Sequence, residues 1–155
     1  TRWRLRAPRR APLPGRASVI FLDTGAFLAR YLEQDQHHDD ALVGFALLER
    51  DRHPACTSNH VIDETITLLA RWAGAAFAAD RARAIFASRS LRILRPTQDQ
   101  EITALAWLER FADQRISYTD ALSFVLMQDA GVREAFAIDR HFPLAGFTLW
   151  PTEHT

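Results

Sequence analysis

Apolar positions along this chain fall into short unbroken runs separated by longer stretches with helical spacing. Val19-Ile20-Phe21-Leu22 is the first such run and predicts a strand buried on both faces of a parallel sheet. Helical periodicity follows over about 25–33 and 38–51, and His53-Pro54 stops it. Ala55-Cys56-Thr57 predicts a weak strand, then a strong amphipathic helix runs over 59–73 to Gly74 and another over 76–88. Leu91-Arg92-Ile93-Leu94 reads as a strand, and Thr97-x-x-Gln100 is a capping box opening a helix to about 112. A further helix begins near Asp120 and stops at Gly131, and Ala135–Ile138 and Phe147–Leu149 close the pattern as strands. Short apolar strands alternating with helices predict an α/β fold with a mainly parallel sheet.

A chain of 155 residues suits one domain with a sizeable core, and no apolar run approaches a membrane span. The N-terminal segment lacks the apolar core of a secretory signal, and Cys56 is the single cysteine, so no intramolecular disulfide can form. Both features point to a reducing cytoplasm. The net charge of zero hides an asymmetry. Residues 1–17 hold six Arg, three Pro and no acid, leaving 13 Arg against 19 acidic residues in the rest. Residues 1–17 read as a flexible basic leader, either a misplaced start, a phosphate-attracting arm or a transit segment, and 18–155 as the folded domain. The complete lack of Lys fits coding bias better than a functional choice of guanidinium.

Candidate chemistry lies in four acids. Asp23 directly follows the first strand and Asp139 directly follows Ala135–Ile138, so in a parallel sheet both reach the carboxyl edge, where ligands of open α/β sheets bind. Asp23 also reads as an N-cap of the following helix. In the 59–73 helix, Val61, Ile62, Ile66, Leu68, Leu69 and Trp72 define the apolar face. Glu64 lies roughly 110° from the centre of that face and Asp63 roughly 150°, so Glu64 leans over the sheet edge and Asp63 points to water. Asp120 closes Ser117-x-x-Asp120, a capping box before an apolar run, and capping alone would account for it. Clustered carboxylates suit hard cations such as Mg²⁺. His37-His38 lack zinc spacing, sit in an acidic polar stretch and read as solvated.

The segments VIFLDTGAF, SNHVIDETITLL, ISYTDALSFVLM and FAIDRHF, in this order, resemble the PIN-domain ribonucleases, particularly the VapC-type toxins of prokaryotic toxin–antitoxin pairs. The likeness covers residues 18 to about 150. It implies a three-layer fold with a mainly parallel central sheet of four to five strands flanked by helices. It also implies that Asp23, Glu64, Asp120 and Asp139 are catalytic acids holding Mg²⁺ or Mn²⁺, with Asp139 at the family's most variable position. Thr24 and Ser117 match supporting hydroxyl positions able to bind phosphate or a coordinated water. His141 matches a position that packs or orients the loop. The implied reaction is hydrolysis of RNA to 5′-phosphate and 3′-hydroxyl ends, with one or two ions activating water for in-line attack. The implied partners are the RNA substrate, a small antitoxin and a second copy of the chain. Arg30 and Arg140 are candidates for holding flanking phosphates.

Three other readings compete. A catalytically silent PIN-like binding module in an RNA-associated complex would be marked by loss of an acid, and none of the four is missing. A haloacid-dehalogenase-type phosphatase needs an acid two residues after the strand Asp, where this chain has Gly25. A structural domain would use the acids only as helix caps.

Overall fold

The computed structural model describes residues 17–152, and the basic leader up to Arg16 lies outside that range. Five strands form one sheet: β1 (Ile20–Leu22), β2 (Ala55–Ser58), β3 (Leu91–Leu94), β4 (Glu134–Phe136) and β5 (Thr148–Leu149). Their order is β3-β2-β1-β4-β5 and every pairing is parallel, the all-parallel limit of the expected sheet. The central strand β1 is fully buried, as its unbroken apolar run requires. The chain moves outward from β1 through β2 to β3, then returns to β4 on the other side of β1. The switch point of the sheet therefore lies between the carboxyl ends of β1 and β4.

The helices are α1 (Thr24–Tyr31), α2 (His38–Arg50), α3 (Asn59–Ala73), α4 (Ala75–Ala87), α5 (Gln98–Arg110), α6 (Tyr118–Ala130) and the short α7 (His141–Leu144). Their ends follow local chemistry. Ser58 Oγ accepts from the Val61 amide to start α3, and the predicted capping box at Thr97 and Gln100 is present in both directions. Gly131 ends α6 in the left-handed conformation at φ 71°, which a residue lacking Cβ adopts without strain. Helix α6 buries every residue from Asp120 to Met127 and so packs on all sides.

The helix spacing misassigns one residue. Trp72, counted on the apolar face of α3, is 72% exposed, because the last turn projects beyond the core; Thr65 is buried instead, its hydroxyl donating to the Val61 carbonyl at 2.7 Å. The expected strand 135–138 is three residues long and ends at Phe136, freeing the backbone up to Asp139 to turn into α7. Three aromatic rings lie beneath that turn. Phe142 meets Phe124 edge-on at 5.1 Å and Phe21 at 6.3 Å between centroids, so β1, α6 and α7 are locked through one contact chain.

Candidate active site

Each acid is fixed by a different element. Asp23 follows β1 and its amide donates to the Phe136 carbonyl at 3.0 Å, bridging the switch point. It occupies the N-cap position of α1 with extended backbone angles, yet its side chain makes no capping hydrogen bond. The capping alternative therefore does not account for its carboxylate. Glu64 is half-buried on α3 and Asp63 exposed, as the helix phase predicts. Asp120 is buried in the first turn of α6 within a complete capping box: its amide donates to Ser117 Oγ at 3.0 Å, and its Oδ2 accepts from the Ser117 amide at 3.2 Å. Asp139 lies in the turn after β4, half-buried.

All four acids line one cleft of about 520 Å³, together with Thr24, Ser117, Arg115, His37 and His141. Asp120 thus caps its helix and faces the cleft at the same time. The tightest grouping contains a residue the sequence left in a packing role. His141 Nδ1 lies within hydrogen-bond distance of Asp120 Oδ2 at 3.1 Å and stands 3.1 Å from Asp139 Oδ2, while its backbone amide donates to Asp139 Oδ1 at 2.6 Å. Among the described residues, the ligand atoms lying within 4.8 Å of one another are those of Asp120, Asp139 and His141. Asp23 and Glu64 stand on the same cleft outside that trio.

The charges confirm the crowding. Burial raises the pKa of Asp23 well above the ordinary aspartate value; the Asp120 charge adds to this, the Thr24 amide opposes it, and Asp139 and Glu64 add further. Asp120 is also raised, first by burial and then by Asp139, with the Ser117 amide and His141 pulling the other way. Carboxylates crowded in this way gain from a bound cation, which offsets their mutual repulsion. Thr24 Oγ1 is buried with no hydrogen-bond partner and belongs to the same cleft lining. A hard-oxygen donor set, clustered negative charge and an orphaned hydroxyl fit a divalent cation with its waters.

Two expectations about basic residues change. Arg30 stacks over the Phe45 ring at 4.3 Å and lines a separate cavity with Tyr31 and Pro54, so it does not face the acids. Arg140 is exposed and absent from the cleft lining, whereas Arg115 belongs to it. Arg115 adopts φ 52°, a left-handed conformation uncommon for a residue with a side chain. No sequence signal singles it out; only the fold brings it to the acids. His37 and His38 are half-buried, not solvated: His37 lines the cleft and His38 Nδ1 donates to the Ala29 carbonyl at 2.7 Å. Cys56 is a core residue of β2 whose thiol is pushed up to about 12 by burial, so it is no nucleophile at neutral pH.

A parallel sheet with a carboxylate cluster at its switch point is the arrangement of the PIN domain, whose family model matches residues 20–147, and the chain belongs to that family. It is 38% identical over 130 residues to the 23S rRNA-specific endonuclease VapC20 of Mycobacterium tuberculosis, an alignment covering 83% of this chain and 95% of that one. Its fold matches the crystal structure of M. tuberculosis VapC20, described as a Sarcin-Ricin loop cleaving toxin, with a TM-score of 0.75 at 36% identity over 84% of this chain and 97% of that one. DNA-bound VapBC from Salmonella typhimurium matches at a TM-score of 0.59 and 11% identity, over 86% of this chain and 97% of that one, a likeness of fold.

Proposed function

We propose that this protein is an endoribonuclease toxin of the VapC type, using Asp23, Glu64, Asp120 and Asp139 to hold Mg²⁺ or Mn²⁺ and to cut a phosphodiester of structured ribosomal RNA. The observation that carries the reading is the convergence of all four acids on one cleft at the sheet's switch point. The bound ion would lower the pKa of a water and neutralise charge developing on the phosphate. The chain's own residues supply the rest. Asp120 is held by Ser117 and His141, Asp139 by the His141 amide, and Asp23 by the backbone bond to β4, so three acids are oriented before substrate arrives. Arg115 holds a flanking phosphate at the cleft, and Thr24 Oγ1 binds a phosphate oxygen or a water. The likeness to VapC20 makes the sarcin–ricin region of 23S rRNA the substrate to test.

A small antitoxin is the expected partner, and the toxin acts as a homodimer in the cytoplasm. No helix among the described residues is long and apolar enough to cross a membrane. Purified protein incubated with ribosomes and Mn²⁺ or Mg²⁺ should cut 23S rRNA at one position, leaving a 5′-phosphate, and EDTA should stop it. Asp120→Asn should be inactive. Cleavage by Asp120→Asn at the parent rate would exclude the mechanism. A silent binding module is the alternative, and it predicts RNA retention without cleavage under any metal.

A further inference from the structure

We propose that His141 is itself a ligand of the metal ion, giving the site one nitrogen donor and a preference for a transition ion such as Mn²⁺ over Mg²⁺. This rests on the acids being the metal-binding cluster and adds a donor outside the four. Three observations carry it. His141 Nδ1 stands 3.1 Å from a carboxylate oxygen of Asp120 and 3.1 Å from one of Asp139. Adjacent ligands of an octahedral ion with bonds of about 2.1 Å lie about 3.0 Å apart, so the nitrogen keeps coordination spacing to both carboxylates at once. The backbone that carries the ring is also held in place: the His141 amide is bound to Asp139 Oδ1, and the next residue, Phe142, is fully buried. Finally, the unpartnered Thr24 hydroxyl in the same cleft is an independent sign that these walls bind something polar.

An imidazole that only hydrogen-bonded to coordinated carboxylates would share the first two distances. The two roles differ in whether the nitrogen contacts the ion, and that is measurable. Mg²⁺ favours oxygen ligands and retains its waters, whereas imidazole nitrogen favours first-row transition ions.

The test is pulsed electron paramagnetic resonance of Mn²⁺ bound to the full chain, paired with Mg²⁺ competition. Wild-type protein should show ¹⁴N coupling to Mn²⁺ that converts to ¹⁵N coupling on histidine labelling. His141→Gln should lose the coupling, and its Mn²⁺-over-Mg²⁺ preference should fall roughly tenfold. Bound Mn²⁺ without nitrogen coupling overturns the inference and leaves the acidic cluster standing. Coupling that survives in His141→Gln overturns it too, assigning the nitrogen to His37, which lines the same cleft. Failure of wild-type protein to bind Mn²⁺ at all removes the underlying metal reading as well. Should His141→Gln fail to fold, His37→Gln decides: coupling retained there assigns the nitrogen to His141, and coupling lost there overturns the inference.

Discussion

A buried carboxylate among other carboxylates opposes folding whenever it is ionised, and Asp23 is in that position. Its pKa is raised in the folded protein, so the native state binds the proton more tightly than the unfolded chain does. Stability is therefore lost as pH rises from the ordinary aspartate value of 3.8 through the raised folded value, and the loss persists at neutral pH. In metal-free protein Asp23→Asn should raise Tm at pH 7 by about 2–4 °C for each kcal/mol of burial cost and repulsion relieved, while abolishing cleavage. Thermal melts in EDTA at pH 7 and at mildly acidic pH check both points. The variant should also lose most of the stabilisation that wild-type protein gains on acidification. A lower Tm for Asp23→Asn would mean the carboxylate is stabilised by contacts other than those described. The residue scale is also where the sequence was least legible. Helix phase separates Glu64 from Asp63, but nothing local separates a capping Asp23 from a site Asp23. The missing capping bond, a fact of three-dimensional geometry, does so.

At the scale of elements, strand and helix order could be read because each local signal agreed with the fold: caps at Thr97 and Ser117, stops at Gly74 and Gly131. What could not be read were the places where the reach of the core, present or missing, overrides period. Trp72 is one, and the early end of β4 is another. The turn that β4 leaves behind carries Asp139 and His141, and it is pinned by the fully buried Phe142 against Phe124 of α6. Truncation of Phe142 to Ala should cost about 3–5 kcal/mol in denaturant unfolding, and activity should fall further than the residual folded fraction explains. A second element-level contact is tighter still. Gly44 of α2 faces the Phe136 ring, and a Cβ there would stand 2.4 Å from its nearest carbon. Gly44→Ala should thus destabilise the protein by about 1–3 kcal/mol despite improving helix propensity. Gly25→Ala, whose Cβ would meet Ile138 at 3.4 Å, should be far milder.

For the whole molecule, the sheet's order does what no single segment can. Asp23, Glu64, Asp120 and Asp139 span more than a hundred residues of sequence, and parallel strands with one switch point deliver them to one cleft. Asp23 and Asp139 were visible in the sequence as strand-end positions, Glu64 by helix phase and Asp120 by its capping box; Arg115 was not, because its place depends on how the turn before α6 folds back. Gathering charge in this way leaves the metal-free fold under strain that a cation relieves, so binding and stability are linked by mass action. Mn²⁺ at a hundredfold excess over its Kd should stabilise the native state by about 2.7 kcal/mol. For a chain of this size that is roughly 5–10 °C in Tm. Differential scanning calorimetry across a Mn²⁺ series should show Tm rising with the logarithm of concentration in wild-type protein. Asp120→Asn, which keeps the shape and the Ser117 contact site but removes a charge, should shift that curve to higher concentration. Identical curves for the two proteins would mean that the ion stabilises the fold somewhere other than this cleft, and the catalytic assignment of Asp120 would lose its physical basis.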